Sequence, residues 1–120
     1  MDGRTMLIWA VVGLVLTGAG GLVMMVLRAS GRLIPDWFTM VHGLLAAAAL
    51  SLLLYAAAYH GLSSSAWVGL MLLGLAGAAG LYLNLGFQAQ RRLLPFGMVV
   101  AHGLSATAGV ILIAAGSLGA

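Results

Sequence analysis

The sequence predicts an all-α membrane protein: a four-transmembrane-helix bundle built from two tandem helical-hairpin repeats. Three observations carry that expectation. Hydrophobic residues make up 63% of the 120 residues and charged residues 6%, with a mean hydropathy of +1.16, a composition far from that of a soluble domain. Four apolar stretches each reach the roughly 20 residues that a helix needs to cross a bilayer. One phrase also occurs twice: Arg32-Leu33-Ile34-Pro35 followed by His42-Gly43-Leu44, and Arg92-Leu93-Leu94-Pro95 followed by His102-Gly103-Leu104.

The four spans are expected at about Met6 to Leu27, Trp37 to Tyr59, Ala66 to Phe87 and Pro95 to Leu118. The first follows Arg4 and precedes Ala29-Ser30-Gly31, as a secretory leader would, but its apolar run is too long for that and it has a partner in the third span. It is expected to remain in the mature protein. Gly18-Ala19-Gly20-Gly21-Leu22 in the first span aligns with Gly77-Ala78-Ala79-Gly80-Leu81 in the third at an offset of 59, whereas the histidine phrases align at an offset of 60. The chain therefore reads as one transmembrane domain, residues 1–120, with repeat 1 at about 6–60 and repeat 2 at about 66–118.

Arg28 to Asp36 and Gln88 to Leu94 are the first and third connections and carry four of the five arginines. They lie on one side of the membrane, and the positive-inside rule makes that side cytoplasmic. Both termini and the turn Gly61 to Ser65 are then extracytoplasmic, with a bacterial inner membrane the expected setting. Tandem hairpins that enter from one side form parallel repeats related by an axis along the membrane normal. In an up-down-up-down bundle the second and fourth spans stand diagonally opposite.

Chemistry is narrowly bounded. With no Cys, Glu or Lys, thiolate metal sites, disulfides, lysine Schiff bases and glutamate acid–base catalysis are excluded. A membrane-buried glutamate of the kind that drives small multidrug exporters is excluded with them. The net charge of +3 resides in arginines flanking apolar spans and is no nucleic-acid footprint.

The three histidines are the notable polar groups. His42 and His102 each lie seven residues after a proline, roughly 10 Å along their helices. Gly18 and Gly21, and Gly77 and Gly80, fall at about the same depth in the other two spans. Two neutral imidazoles on opposite helices can supply both axial nitrogens of a flat metal cofactor. Glycines on the neighbouring helices leave room for it, and Gly43, Gly103, Ala46 and Ala106 widen the same slot. Arg32 and Arg92 stand where they can meet its carboxylates. The metal ligands on this reading are His42 and His102.

Blander readings stand beside it. Small residues at helical spacing pack membrane helices without any cofactor, and each imidazole can satisfy itself on a helix carbonyl, Thr39 or Ser105. His60 has no counterpart in the second repeat and reads as an interfacial residue. Trp9, Trp67 and Tyr59 on one side, with Trp37, Phe87 and Phe96 on the other, read as an aromatic belt. Asn84 is the one amide within a span, and Asp36 beside Arg32 reads as a solvated helix start.

On these residues the chain resembles the four-helix membrane b-type cytochromes. The resemblance implies one haem b per chain, ligated by His42 and His102, with Gly18, Gly21, Gly77 and Gly80 packed on the porphyrin. It implies an electron carrier more than a self-contained enzyme, working in the lipid bilayer with other membrane redox subunits or a quinone, without nucleic acid, and compatible with an oligomer. Many such proteins hold two haems, which takes two histidine pairs, and this chain has one. The alternative is a non-redox structural or pigment-binding accessory subunit of a larger membrane complex, with a chlorophyll-type pigment or no cofactor.

Overall fold

A computed structural model describes residues 1–117 and contains four helices in that stretch: α1 (Gly3–Ala29), α2 (Asp36–His60), α3 (Ser64–Leu83, continued by a π-helical turn, Asn84–Gln88) and α4 (Phe96–Ser117). All four are long and apolar enough to cross a membrane. The first three extend one to three residues beyond the expected span ends, and the fourth starts one residue later than expected. Leu118, the expected end of the last span and of repeat 2, lies outside the described residues.

Local chemistry sets the ends. The Asp2 carboxylate accepts the Thr5 N–H at 2.8 Å and caps α1, and the Ser63 hydroxyl caps α3 by accepting the Ala66 N–H at 3.3 Å, as short polar side chains do for the orphan donors of a first turn. Pro35 precedes α2 in extended conformation, a residue that cannot donate into a preceding helix. The arginine-rich ends of α1 and α3 close alike: the Arg32 N–H reaches the Leu27 carbonyl at 2.9 Å and the Arg92 N–H reaches the Phe87 carbonyl at 2.8 Å. Both closures need one residue in the left-handed region. In the first it is Gly31 (φ 77°), and in the second, 60 positions on, it is Arg91 (φ 56°).

The offset between repeats changes from 59 at the glycine clusters to 60 at the histidine phrases, so the second repeat holds one additional residue in between. The π-helical turn Asn84–Gln88 lies in that interval. Such a turn bonds i to i+5 and takes up a residue without breaking the helix.

Packing is strongest within each hairpin, α1 on α2 and α3 on α4, and the hairpins join through α1–α4 and α2–α3. The expected arrangement, with α2 and α4 on a diagonal, follows. Water does not drive helices together inside lipid, so close contact and hydrogen bonds must. At the end that carries the termini, Ala10, Leu53, Ala56, Ala66 and Ile113 are fully buried in one core. There α3 and α4 touch backbone to backbone, since a Cβ on Gly69 would stand 2.7 Å from the Gly109 carbonyl oxygen.

At the arginine end, Arg28 donates to the Gln88 side-chain carbonyl at 3.0 Å, and Gln88 donates to the Ile34 carbonyl at 3.1 Å. Arg28 and Gln88 are equivalent positions of the two repeats, so this bond crosses the pseudo-symmetry axis. Asp36, an exposed residue in the first turn of α2 as expected, pairs with Arg91 of the other connection at 3.6 Å. The pair is 61% and 81% exposed, too wet to contribute more than about 1 kcal/mol.

Candidate functional site

The two histidines meet. The imidazoles of His42 and His102 stand with ring centroids 6.4 Å apart and planes inclined by 65°, across a diagonal whose helices otherwise lack extended packing. A metal held at about 2 Å by a nitrogen of each ring sets the ring centres roughly 6 Å apart. The observed separation is of that size.

Each ring is seated on a glycine of its own hairpin. A Cβ on Gly21 would lie 3.1 Å from Cε1 of His42, and one on Gly80 would lie 3.0 Å from Cε1 of His102, closer than real side chains tolerate. Glycine at these two positions is thus what lets the helices bring the rings inward. The sequence reading gave these glycines to a porphyrin, whereas in the structure their first neighbours are the histidines themselves.

The nitrogens differ between the repeats. Nδ1 of His102 is 2.7 Å from the Ala76 carbonyl oxygen. A carbonyl only accepts, so Nδ1 carries the proton and Nε2 keeps a free lone pair, the second contact that orients most metal-bound imidazoles. Nδ1 of His42 is buried and has no hydrogen-bond partner among the described residues. The position equivalent to Ala76 is Thr17, whose backbone faces His42 in a looser version of the same contact and whose hydroxyl donates to the Gly13 carbonyl at 2.8 Å. Thr39, the other partner the sequence offered, donates to the Asp36 carbonyl instead.

The remaining expected site residues fall in several places. Gly18, Gly43 and Gly103 are exposed and have no atom within 4 Å of where a Cβ would be. They face outward and do not widen a slot between the histidines, because the helices turn the histidine and glycine faces, not these positions, toward the axis. Gly77 points at Leu50 of α2, with 3.6 Å from its would-be Cβ to Leu50 Cδ1, and serves the α2–α3 joint. Arg92 lies over the Phe87 ring, 4.7 Å from its centroid, and donates to the Gly86 carbonyl. Arg32 is exposed in the first connection. Arg92 is thus engaged within its own connection and not at the rings. His60 is exposed at the terminal end, against the backbone of Gly3.

Two residues that the sequence reading did not single out belong here. Gly20 lies beside the unpartnered nitrogen, its would-be Cβ 3.7 Å from Nδ1 of His42. Arg28 is half-buried, two helical turns from Gly21 on the same face of α1, and is the arginine whose side chain reaches across to the other hairpin. Its equivalence to Gln88 at an offset of 60 was the available signal.

Two hollows lie along the first hairpin. One of about 150 Å³ is lined by Thr17, Gly20, Trp37, Phe38, Val41 and His42, and one of about 280 Å³ by Trp9, Val12, Gly13, Ala48, Ala49 and Leu52. Leu16 and Leu45 border both. Each is smaller than the ligand pockets of about 300–1,000 Å³ that ordinarily take a cofactor. The donor set thus fits an iron porphyrin, while the free volume beside His42 is less than its ring fills. Among the described residues no three of His, Cys, Asp and Glu come together, so a metal held by protein side chains alone would have two ligands.

No family model, no curated protein and no solved structure matches the chain.

Proposed function

We propose that the chain is a small membrane electron carrier in which His42 and His102 hold one haem b between α2 and α4. The observation that supports it is the pairing: two copies of one hairpin bring two imidazoles to ring centres 6.4 Å apart, with Nε2 of His102 left free by its bond to Ala76. When bound, haem supplies a reversible one-electron couple at its iron. With His42 and His102 both holding the group, it would supply electron transfer and not turnover of a substrate on the metal. The Ala76 carbonyl holds one ring in orientation, and Gly21 and Gly80 admit both rings. Arg28, half-buried at the arginine end, is better placed to meet a cofactor carboxylate than Arg32 or Arg92. In this reading the arginine end faces the cytoplasm of a bacterial inner membrane, and the partners are other membrane redox subunits or a quinone.

The test is a dithionite-reduced minus oxidised absorption spectrum of the purified chain with pyridine haemochrome quantification. Sharp bands of six-coordinate haem b at about one haem per chain are expected. A colourless protein from haem-replete cells sinks the proposal.

A second reading has its own support. The glycine seats and the Ala76 bond accommodate each ring as ordinary helix packing does, and the hollows are small. A non-redox accessory subunit, with a pigment or none, accounts for these features. A chlorin spectrum would favour the pigment carrier.

A further inference from the structure

We propose that the arginine end of the bundle binds anionic phospholipid, one molecule at each connection, with its phosphate on Arg32 or Arg92 and its acyl region against the adjoining Leu33 or Leu93. The proposal concerns a surface apart from the histidine layer and holds whether or not that layer carries haem.

The leucines raise the question. Among the described residues Leu33 and Leu93 are the most exposed large hydrophobic side chains, at 93% and 96%, and they occupy the same point of the two repeats, 60 positions apart. Each is followed by a residue that turns inward, since Ile34 is buried and Leu94 half-buried. The leucines thus face away from the bundle, and whatever covers them lies outside it. Leu33 precedes the first residue of α2, Asp36, by three positions, and Leu93 precedes the first residue of α4, Phe96, by three. Three residues span at most roughly 10 Å of chain, which keeps both leucines near the boundary between headgroups and hydrocarbon.

The charge at this end is one-sided. Arg28, Arg32, Arg91 and Arg92 stand here against a single carboxylate, Asp36, because the other acid, Asp2, lies at the opposite end of α1. Arg91 reaches Asp36 across from the other connection at 3.6 Å, so the two connections share one positive face. Arg92 rests over the Phe87 ring and gives one donor to the Gly86 carbonyl. That contact orients the guanidinium and leaves most of its five N–H donors for a ligand. Arginine's planar fork matches phosphate oxygens in pairs.

The order of the residues selects a lipid over an acidic protein. Arg32 and Leu33 are neighbours in the chain, as are Arg92 and Leu93, and a phospholipid likewise carries its phosphate beside the start of its acyl chains. A lipid offers the same phosphate and the same apolar boundary to both connections. One asymmetric protein would meet the two copies differently. Trp37 and Phe96, both exposed in the first turns of α2 and α4, add the aromatic surface that settles at headgroup level. The terminal end lacks the combination: Arg4 lies within α1 and is followed by Thr5 and the buried Met6.

The test is native mass spectrometry of the full chain, delipidated in detergent and titrated with phosphatidylglycerol or with phosphatidylcholine of identical acyl chains. Phosphatidylglycerol is expected to add up to two molecules per chain and to bind about tenfold more tightly than phosphatidylcholine. Arg32→Gln and Arg92→Gln should each remove one of the two, and the double variant both. Leu33→Asn and Leu93→Asn, at side chains that the bundle does not cover, should each weaken one site about fivefold. Arg4→Gln at the other end leaves the count unchanged. Far-UV circular dichroism checks that each variant keeps its helices, and the leucine variants carry the test if an arginine variant does not. Equal retention of the two lipids overturns the proposal and leaves the arginine face to an acidic protein. Full binding by the double arginine variant also overturns it. Displacement of the lipid by excess glycerol 3-phosphate, which has no acyl chains, would show a free-phosphate site instead.

Discussion

His42 and His102 occupy equivalent places in two copies of one hairpin, yet the copies have finished the job differently. In the second, Nδ1 of the histidine is bonded to Ala76, Gly69 and Gly109 bring α3 and α4 into backbone contact, and the ring is fixed. In the first, Nδ1 is unpartnered, Ala49 stands where the second hairpin has Gly109, and both hollows lie along its helices. One methyl group at a helix crossing decides how near two backbones come. The repeat supplies the symmetry of the site, and the substitutions between its copies make the two sides unequal in packing.

The largest effect expected is on the shared feature. His42→Ala or His102→Ala each abolishes stable haem binding, read as haem per chain in the reduced-minus-oxidised spectrum, while His60→Ala at the far end leaves it intact. Retention of normal haem by both variants would break the equivalence of the two rings and the ligand assignment with it. Gly21→Leu and Gly80→Leu are each expected to lower haem content too, because the first atom added already lies 3.1 Å or 3.0 Å from an imidazole carbon.

Packing separates the hairpins at the next level. A Cβ on Gly109 would stand 2.7 Å from Leu73 Cγ and 3.0 Å from the Gly69 carbonyl oxygen, so Gly109→Ala overpacks a joint with no slack, a change that costs about 1–3 kcal/mol. Gly13→Ala in the first hairpin meets only Ala49, at 3.1 Å, beside a hollow that can absorb the shift, and is expected to cost less. Loss of helical signal on titrating SDS into detergent-solubilised protein measures both. A larger loss for Gly13→Ala would mean that the first hairpin is the tighter one.

These differences were only partly legible in the sequence. Four spans, two hairpins and the pairing of His42 with His102 follow from hydropathy, length and a repeated phrase, because each depends on periodic features that survive without knowledge of rotation. What a given glycine faces does not. Gly18 and Gly21 lie in one cluster, but three residues turn a helix by about 300°, and the structure sends one toward lipid and the other onto His42. The change of offset from 59 to 60 was visible, and its consequence, a π-helical turn at Asn84–Gln88, required the helix to continue through the insertion. Arg28 does not stand out in the sequence, because the equivalent position holds no second arginine but Gln88, its hydrogen-bond partner.

A smaller effect concerns how each hairpin closes its first long helix. The left-handed residue is Gly31 in one and Arg91 in the other, at φ 77° and 56°. An L-residue with a Cβ pays about 1–2 kcal/mol in that region. Arg91→Gly is therefore expected to stabilise the protein by about 1 kcal/mol, less whatever the exposed pair with Asp36 contributes. The reciprocal Gly31→Arg should destabilise by a similar amount in the same SDS titration. No change in either would show that the connections tolerate other closures.

The smallest effect separates the helix starts. Asp2 caps α1 with a carboxylate that accepts the Thr5 N–H, and that bond holds its pKa below the usual carboxylate value. Ser63 caps α3 with a hydroxyl that does not titrate. A carboxylate with a lowered folded-state pKa contributes its stabilisation in full above the unfolded pKa and loses it as pH falls through the folded one. Hydrogen exchange of the Thr5 amide, corrected for the intrinsic rate, should lose protection across that acid range while the Ala66 amide keeps its own. Because Asp2 is fully exposed, the loss is confined to the first turn and leaves the histidine layer untouched. Parallel loss at Ala66 would mean that acid loosens both hairpins together, through some group other than this cap.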